Sequence, residues 1–262
     1  MHFTLSRRVL LQGCVFATVG TLAPRAALSA ELPFGFIHHG NFRRMVHAGD
    51  TTGTVSLSAL PQQPGWWGLG AMAGLKGAII EIDGRLLVTP GRSMHGRTRP
   101  PDAGDMAVLF AAARVPRWHD TTLPQAMDQT AFEAFVLAQA RALGLSVEQP
   151  FVFRVNGRFP HLLWHVVTGE APTMAGHGSA HGTDGQGGSA GHANSRSGMR
   201  QFRQPDAQGQ LVGVYSGAAL EGVVSHPGER FHVHYANANA GISGHVDHYS
   251  VAAGAVLMLP MH

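Results

Sequence analysis

The chain has 262 residues, of which 44% are apolar, 13% charged and 8% aromatic, a balance that excludes a disordered tail or a coiled coil. Its 34 glycines and 15 prolines favour strands and turns over long helices. The formal charge of +3 and the pI of about 9.6 belong to the whole chain, and its first thirty residues distort both.

Residues 1–30 carry Arg7, Arg8 and Arg25 and no acid. Their apolar run, Val9–Leu22, is short for a membrane span and is followed by small residues ending Leu28-Ser29-Ala30. This pattern reads as a signal peptide cleaved after Ala30. Ser6-Arg7-Arg8-Val9-Leu10-Leu11 gives it twin-arginine character, with the periplasm as destination. Cleavage leaves 16 basic and 16 acidic residues, so the mature chain is neutral. Nothing then points to nucleic acid or to an anionic membrane. Cys14, the one cysteine, leaves with the signal, so disulfides and thiolate chemistry are excluded from the mature chain. Residues 31–262 are expected to form a single domain. Its expected partners are a small carboxylic acid substrate or a metal ion, and a homodimer stays open.

The mature chain begins with Pro33–Leu60, whose alternating Thr54-Val55-Ser56-Leu57 predicts a strand. Pro61–Gly70 is rich in Pro, Gly and Trp and is expected to be a loop. Ala78–Asp83 and Arg85–Val88 predict a β-hairpin, because Asp83-Gly84 suits a type I′ turn. Gly91–Gly104 reads as a loop and Met106–Ala113 as a strand buried on both faces. Ala131–Leu143 predicts a helix, with Thr130 as cap, Glu133 closing a capping box and Gly144 as stop. Phe151–Val155 and Arg158–Val167 predict a second hairpin around Asn156-Gly157. The two hairpins resemble each other, Ile82-Asp83-Gly84-Arg85-Leu86 against Val155-Asn156-Gly157-Arg158-Phe159, and point to two similar β-rich halves.

From Ala171 to Arg200, eight glycines, four serines and three histidines make up half of the residues. This segment lacks apolar periodicity and is expected to be a flexible insertion. Gln210–Tyr215 returns to strand character, and Arg230–Val251 predicts a histidine-rich hairpin.

That hairpin holds the sharpest chemical signal. In Phe231-His232-Val233-His234-Tyr235, His232 and His234 share one face of a strand. After a turn, the returning His245-Val246-Asp247-His248 can bring His245 to the same pocket. Three imidazoles with an open fourth position form a catalytic zinc pattern. Asp247, on the face expected for His245, can orient a ligand or become a fourth one. The insertion's His177, His181 and His192 can recruit a metal. Trp66-Trp67 reads as core, while Asp50, Asp83 and Glu221 are carboxylates without a place.

The same residues carry a family resemblance. Ala48-Gly49-Asp50, Gly68-Leu69-Gly70, Ile82-Asp83-Gly84 and Thr130–Leu143 resemble the acetolactate decarboxylase family, a group of zinc lyases. The likeness continues through Phe153–Phe159, Gly209–Gly213 and Pro227-Gly228 to His232-Val233-His234 and Gly244-His245-Val246. The resemblance implies an α+β fold of two related β-rich halves, with mixed or antiparallel sheets and few helices. It implies zinc on His232, His234 and His245, and decarboxylation of a 2-hydroxy-3-keto acid such as acetolactate to acetoin and CO₂. In the family an arginine holds the carboxylate and glutamates handle the proton. Here the family's first glutamate falls on Ala78, with Glu81 on the opposite face, and its arginine falls on His165. Its late glutamate has no counterpart before the chain stops at His262. His165 is the catalytic candidate, as an anion-binding or acid group, with His161 expected on its face of the strand. Three readings stand: a zinc lyase with a changed pocket, a zinc-dependent ester or lactone hydrolase on the same scaffold, and an exported metal-binding protein without catalysis.

Overall fold

A computed structural model describes residues 32–169, 194–196 and 198–261. The expected signal peptide and His177, His181 and His192 of the insertion lie outside the described residues. Among the described residues, no helix is long and apolar enough to cross a membrane.

Two antiparallel sheets form the frame. The first contains β1 (Ile37–His39), β2 (Val55–Ser56), β3 (Trp66–Met72), β4 (Gly77–Ile82), β5 (Arg85–Pro90) and β6 (Met106–Arg114). Its order is β1-β6-β3-β4-β5, with β2 also on β6. The second contains β7 (Trp118–Thr122), β8 (Met127–Asp128), β9 (Phe151–Phe159), β10 (Leu162–Val167), β11 (Asn194–Arg196), β12 (Met199–Arg203), β13 (Ala207–Tyr215), β14 (Phe231–Asn237), β15 (Ser243–Val251) and β16 (Val256–Pro260). Its order is β11-β12-β10-β15-β14-β13-β9-β16-β7, with β8 on β15. The helices are α1 (Phe42–His47) and α2 (Gln129–Ala142). The predicted β-rich α+β class is the one observed.

The apolar pattern explains the layers. Leu69, Ile80, Leu87 and Ala111 of the first sheet meet Val152, Val212 and Val214 of the second in one buried cluster. On the far side of the second sheet, Phe132, Val136 and Ala140 of α2 pack with Phe153, Val155, Leu211 and Tyr249. On the far side of the first, Ile79, Val88 and Phe110 lie beneath Leu57 and Leu60. Strand β6 is buried from Ala107 to Ala113, as expected for a strand covered on both faces.

Several local expectations needed correction. Asp83 and Gly84 both have positive φ, 53° and 75°, and form the predicted tight turn between β4 and β5. Asn156-Gly157, however, lies inside β9, paired with Gln210 and Gly209 of β13. The chain reverses after Phe159 instead, which places His161 in an exposed turn and off the strand face of His165. Gly157 serves a close approach: a Cβ there would lie 2.5 Å from that of Ala255. The sequence likeness between the two expected hairpins therefore has no structural counterpart. Trp66–Gly70, expected as loop, belongs to β3, because Trp67 and Leu69 are core residues. Helix α2 is capped by Asp128, which accepts from Ala131 N at 2.8 Å, and Thr130 lies within the helix. Glu133 accepts from Gln129 rather than closing a capping box. The stretch expected to stay irregular up to Arg200 carries β11 and the start of β12 near its end. Asp50 and Glu221 pair with Arg44 and Arg230.

Glu81 faces away from the inter-sheet core, on the Ile79 side of β4. It is fully buried, and both carboxylate oxygens lack a hydrogen-bond partner. Burial pushes its pKa from 4.5 to about 8. Because the folded value is raised, stability falls as pH rises from the unfolded value through the folded one. Glu81→Gln should thus melt close to the parent at pH 5 and be more stable at pH 8, by on the order of 4 kcal/mol. Thermal or urea unfolding at the two pH values tests this, and an equal difference at both would exclude a buried neutral carboxyl.

Candidate metal centre

Strands β10, β15 and β14 lie side by side and turn one face toward the first sheet. On β14, His232 and His234 share the face of their partners Val214 and Val212, which belong to the inter-sheet core. His234 lies directly opposite His245 of β15, and His245 lies opposite His165 of β10. Register thus brings four imidazoles to one face, and period-2 alternation keeps them there. Gly244 lets β10 and β15 approach: a Cβ at that position would lie 2.5 Å from the His165 carbonyl oxygen and from the Trp164 ring.

His232, His234 and His245 converge as the sequence predicts. Each offers a ring nitrogen, and these atoms all lie within 4.8 Å of one another. Their ring centroids are 4.9–5.6 Å apart. His232 and His234 are buried, while His245 is partly exposed. Burial holds the His232 pKa down at about 4 and those of His234 and His245 well below the usual imidazole value. All three are therefore neutral near pH 7, the form that ligates a metal. His232 Nδ1 donates to the Val224 carbonyl at 2.8 Å, which leaves its Nε2 lone pair for an ion. His234 Nδ1 is buried without a hydrogen-bond partner. Three uncharged nitrogens match the ligand chemistry of zinc, copper or nickel rather than of calcium or magnesium.

Two further groups border the triad. His165 is 8% exposed, and its ring centroid lies 4.9 Å from that of His245. Its Nδ1 is 2.7 Å from Asp247 Oδ1. His165 is outside the close-set ligand group. Asp247 is likewise outside it and contacts His165. His226 is the residue that the sequence did not single out. Its ring lies 6.0 Å from His245 and 4.0 Å from Phe42, beside the tight Pro227-Gly228 turn. The only sequence signal for it was its position just before that dipeptide.

Ala78 is buried on β4, one residue from the Ile79 carbonyl that faces His234, and supplies neither charge nor proton. Glu81 lies on the opposite side of the strand and cannot replace an acid there. Trp67 is core, and the guanidinium of Arg154 stacks 3.7 Å above its ring.

No family model matches the chain, and no curated protein does. Solved structures do. An alpha-acetolactate decarboxylase from Bacillus subtilis strain 168 superposes with a TM-score of 0.64 at 18% identity, over 87% of this chain and 86% of that one. Acetolactate decarboxylase from Bacillus subtilis subspecies spizizenii gives 0.64 at 16% identity over the same shares, 87% and 86%. A Staphylococcus aureus protein of unknown function, similar to alpha-acetolactate decarboxylase, gives 0.57 at 16% identity, again over 87% and 86%. The chain has the acetolactate decarboxylase fold.

If the triad is a metal site, His234→Ala should abolish stoichiometric binding, while the exposed His95→Ala should leave it intact. Equilibrium dialysis with metal analysis measures both. Equal occupancy in the two variants would remove the triad as the site.

Proposed function

We propose that the protein is a zinc-dependent lyase that acts on a small 2-hydroxy-3-keto acid of the acetolactate type. The observation that carries this reading is a cluster of three neutral imidazoles between the sheets of a fold shared with acetolactate decarboxylases. When bound, zinc supplies Lewis acidity to the hydroxyl and carbonyl oxygens beside the carbon that loses CO₂.

The chain's own residues do the rest. His232, His234 and His245 hold the ion, and the Val224 carbonyl fixes the His232 ring. Burial of His232 and His234 between the sheets strengthens the electrostatic contacts they make. His165 stands where the family resemblance expects a carboxylate-binding arginine, and Ala78 where it expects a glutamate. An imidazole cannot reproduce the planar fork of a guanidinium. Losing one such helper costs roughly 3–4 kcal/mol, a factor of about 10²–10³ in rate. Acetolactate is therefore a poor substrate, and the pocket favours a relative with different polar groups. The twin-arginine pattern supports work in the periplasm after export.

The decisive assay is acetoin production from racemic acetolactate by the zinc-loaded protein. Metal-dependent turnover below about 1 s⁻¹ is expected, under the common enzyme range. Ala78→Glu together with His165→Arg should raise it more than either change alone, since both groups would act on one substrate. Turnover of ~1–10³ s⁻¹ in the unmodified protein would overturn the lost-helper argument. No acetoin from the double variant at one zinc per chain would sink the lyase reading in favour of hydrolysis or metal binding alone.

A further inference from the structure

A pocket of about 280 Å³ lies where β4 begins and β5 ends, and its walls include Met72, Lys76, Pro90, Arg92, Arg99 and Thr168. None of these residues belongs to the metal centre, and no acid lines the pocket. Sites for drug-sized molecules start at roughly 300 Å³, so a ligand here is small.

Lys76 is the single lysine of the chain. Its surroundings fix its course. Gly74 and Leu75 just before it have positive φ, 68° and 51°, and the second is costly for a residue with a Cβ. The Lys76 carbonyl accepts from Gly91 N at 2.7 Å, which ties the two strand ends together. Its stem runs between two glycines: a Cβ at Gly169 would lie 2.7 Å from Lys76 Cγ, and one at Gly74 3.1 Å from Cε. Arg99 is held from behind by Asp105 at 2.7 Å and Asp102 at 3.2 Å. Its Nε is buried without an acceptor, and so is the Thr168 hydroxyl. Among the described residues, the Lys76 amine and the Arg92 guanidinium have no ion pair or hydrogen bond.

Asp105 balances the charge of Arg99, and the side chain of Asp102 is 75% exposed, where solvent screens it. Lys76 and Arg92 remain as two uncompensated cations, beside two buried donors without acceptors. A cavity that offers cations and donors and no acid is complementary to an anion that only accepts. Two charges in so small a space match a group that concentrates two negative charges on one centre. A phosphate does this, whereas a dicarboxylate spreads them along a chain. We infer that this pocket is a second ligand site, separate from the metal centre, and that it binds a dianionic phosphate group, free or as a small monoester. The site goes beyond the lyase reading and does not depend on it.

Calorimetric titration of the zinc-loaded protein tests this, at about pH 8 and ~0.1 M salt to screen loose surface attraction. Inorganic phosphate and methyl phosphate should each saturate one site per chain, with acetate at least tenfold weaker. Either order of the two phosphates supports the site and says whether the free ion or an ester occupies it. Lys76→Met keeps the stem and removes the charge, and should weaken phosphate about tenfold or more, the worth of a charge-assisted hydrogen bond. Arg92→Gln, at an exposed position where folding is not at stake, should act in the same direction. His234→Ala removes a metal ligand and should bind phosphate as the parent does. Loss of binding in His234→Ala would put the anion on the metal and overturn the proposal. Unchanged affinity in both pocket variants would do the same, as would tighter binding of succinate than of phosphate, or no saturable phosphate binding at all.

Discussion

Everything in the centre depends on taking three imidazoles out of water without giving them a countercharge. Desolvation penalises the imidazolium, so His232, His234 and His245 stay neutral and keep lone pairs for a metal. A carboxylate in the ligand set would have favoured their protonated forms and invited harder cations. None is in the close-set group, and Asp247 spends its contact on His165 instead. The two sheets make this arrangement tolerable, because apolar residues of both inner faces form a buried cluster that includes Val212 and Val214, the partners of His234 and His232.

The geometry follows from strand register more than from side-chain conformation. A one-residue slip between β14 and β15 would turn His245 to the opposite face and break the cluster. Register is held by close packing on the far face, where Trp164 stacks on Phe202 at 4.1 Å and Gly244 leaves room for the Trp164 ring. The core on one side of the sheet thus positions the ligands on the other. The bulge at Asp247 departs from that regular register, and its carboxylate contacts His165, the residue that distinguishes this pocket from the one expected by resemblance.

Two positions define how this pocket differs. Ala78 presents a methyl group where an acid is expected, and His165 presents an oriented imidazole where a guanidinium is expected. Glu81 cannot compensate, because three steps along a strand place it among apolar residues on the outer face, where burial keeps it protonated. The fold is shared, while the resemblance implies different polar groups beside the candidate metal centre, consistent with function residing in the site rather than in the fold.

The sequence by itself determined the β-rich class, the Asp83-Gly84 hairpin, helix α2 within a few residues and the three converging histidines. These are short-range patterns: period-2 and period-3.6 spacing and a turn that demands positive φ. It misread Asn156-Gly157, because the same dipeptide that makes a tight turn also permits close packing, and Ala255 decides between them. It placed Asp247 on the face of His245 by alternation, and the structure puts that carboxylate against His165, which lies opposite His245. It did not single out His226, which comes to the metal centre from the loop just before β14. Only tertiary structure decided these points, because each depends on what lies opposite a residue across a ladder or between sheets.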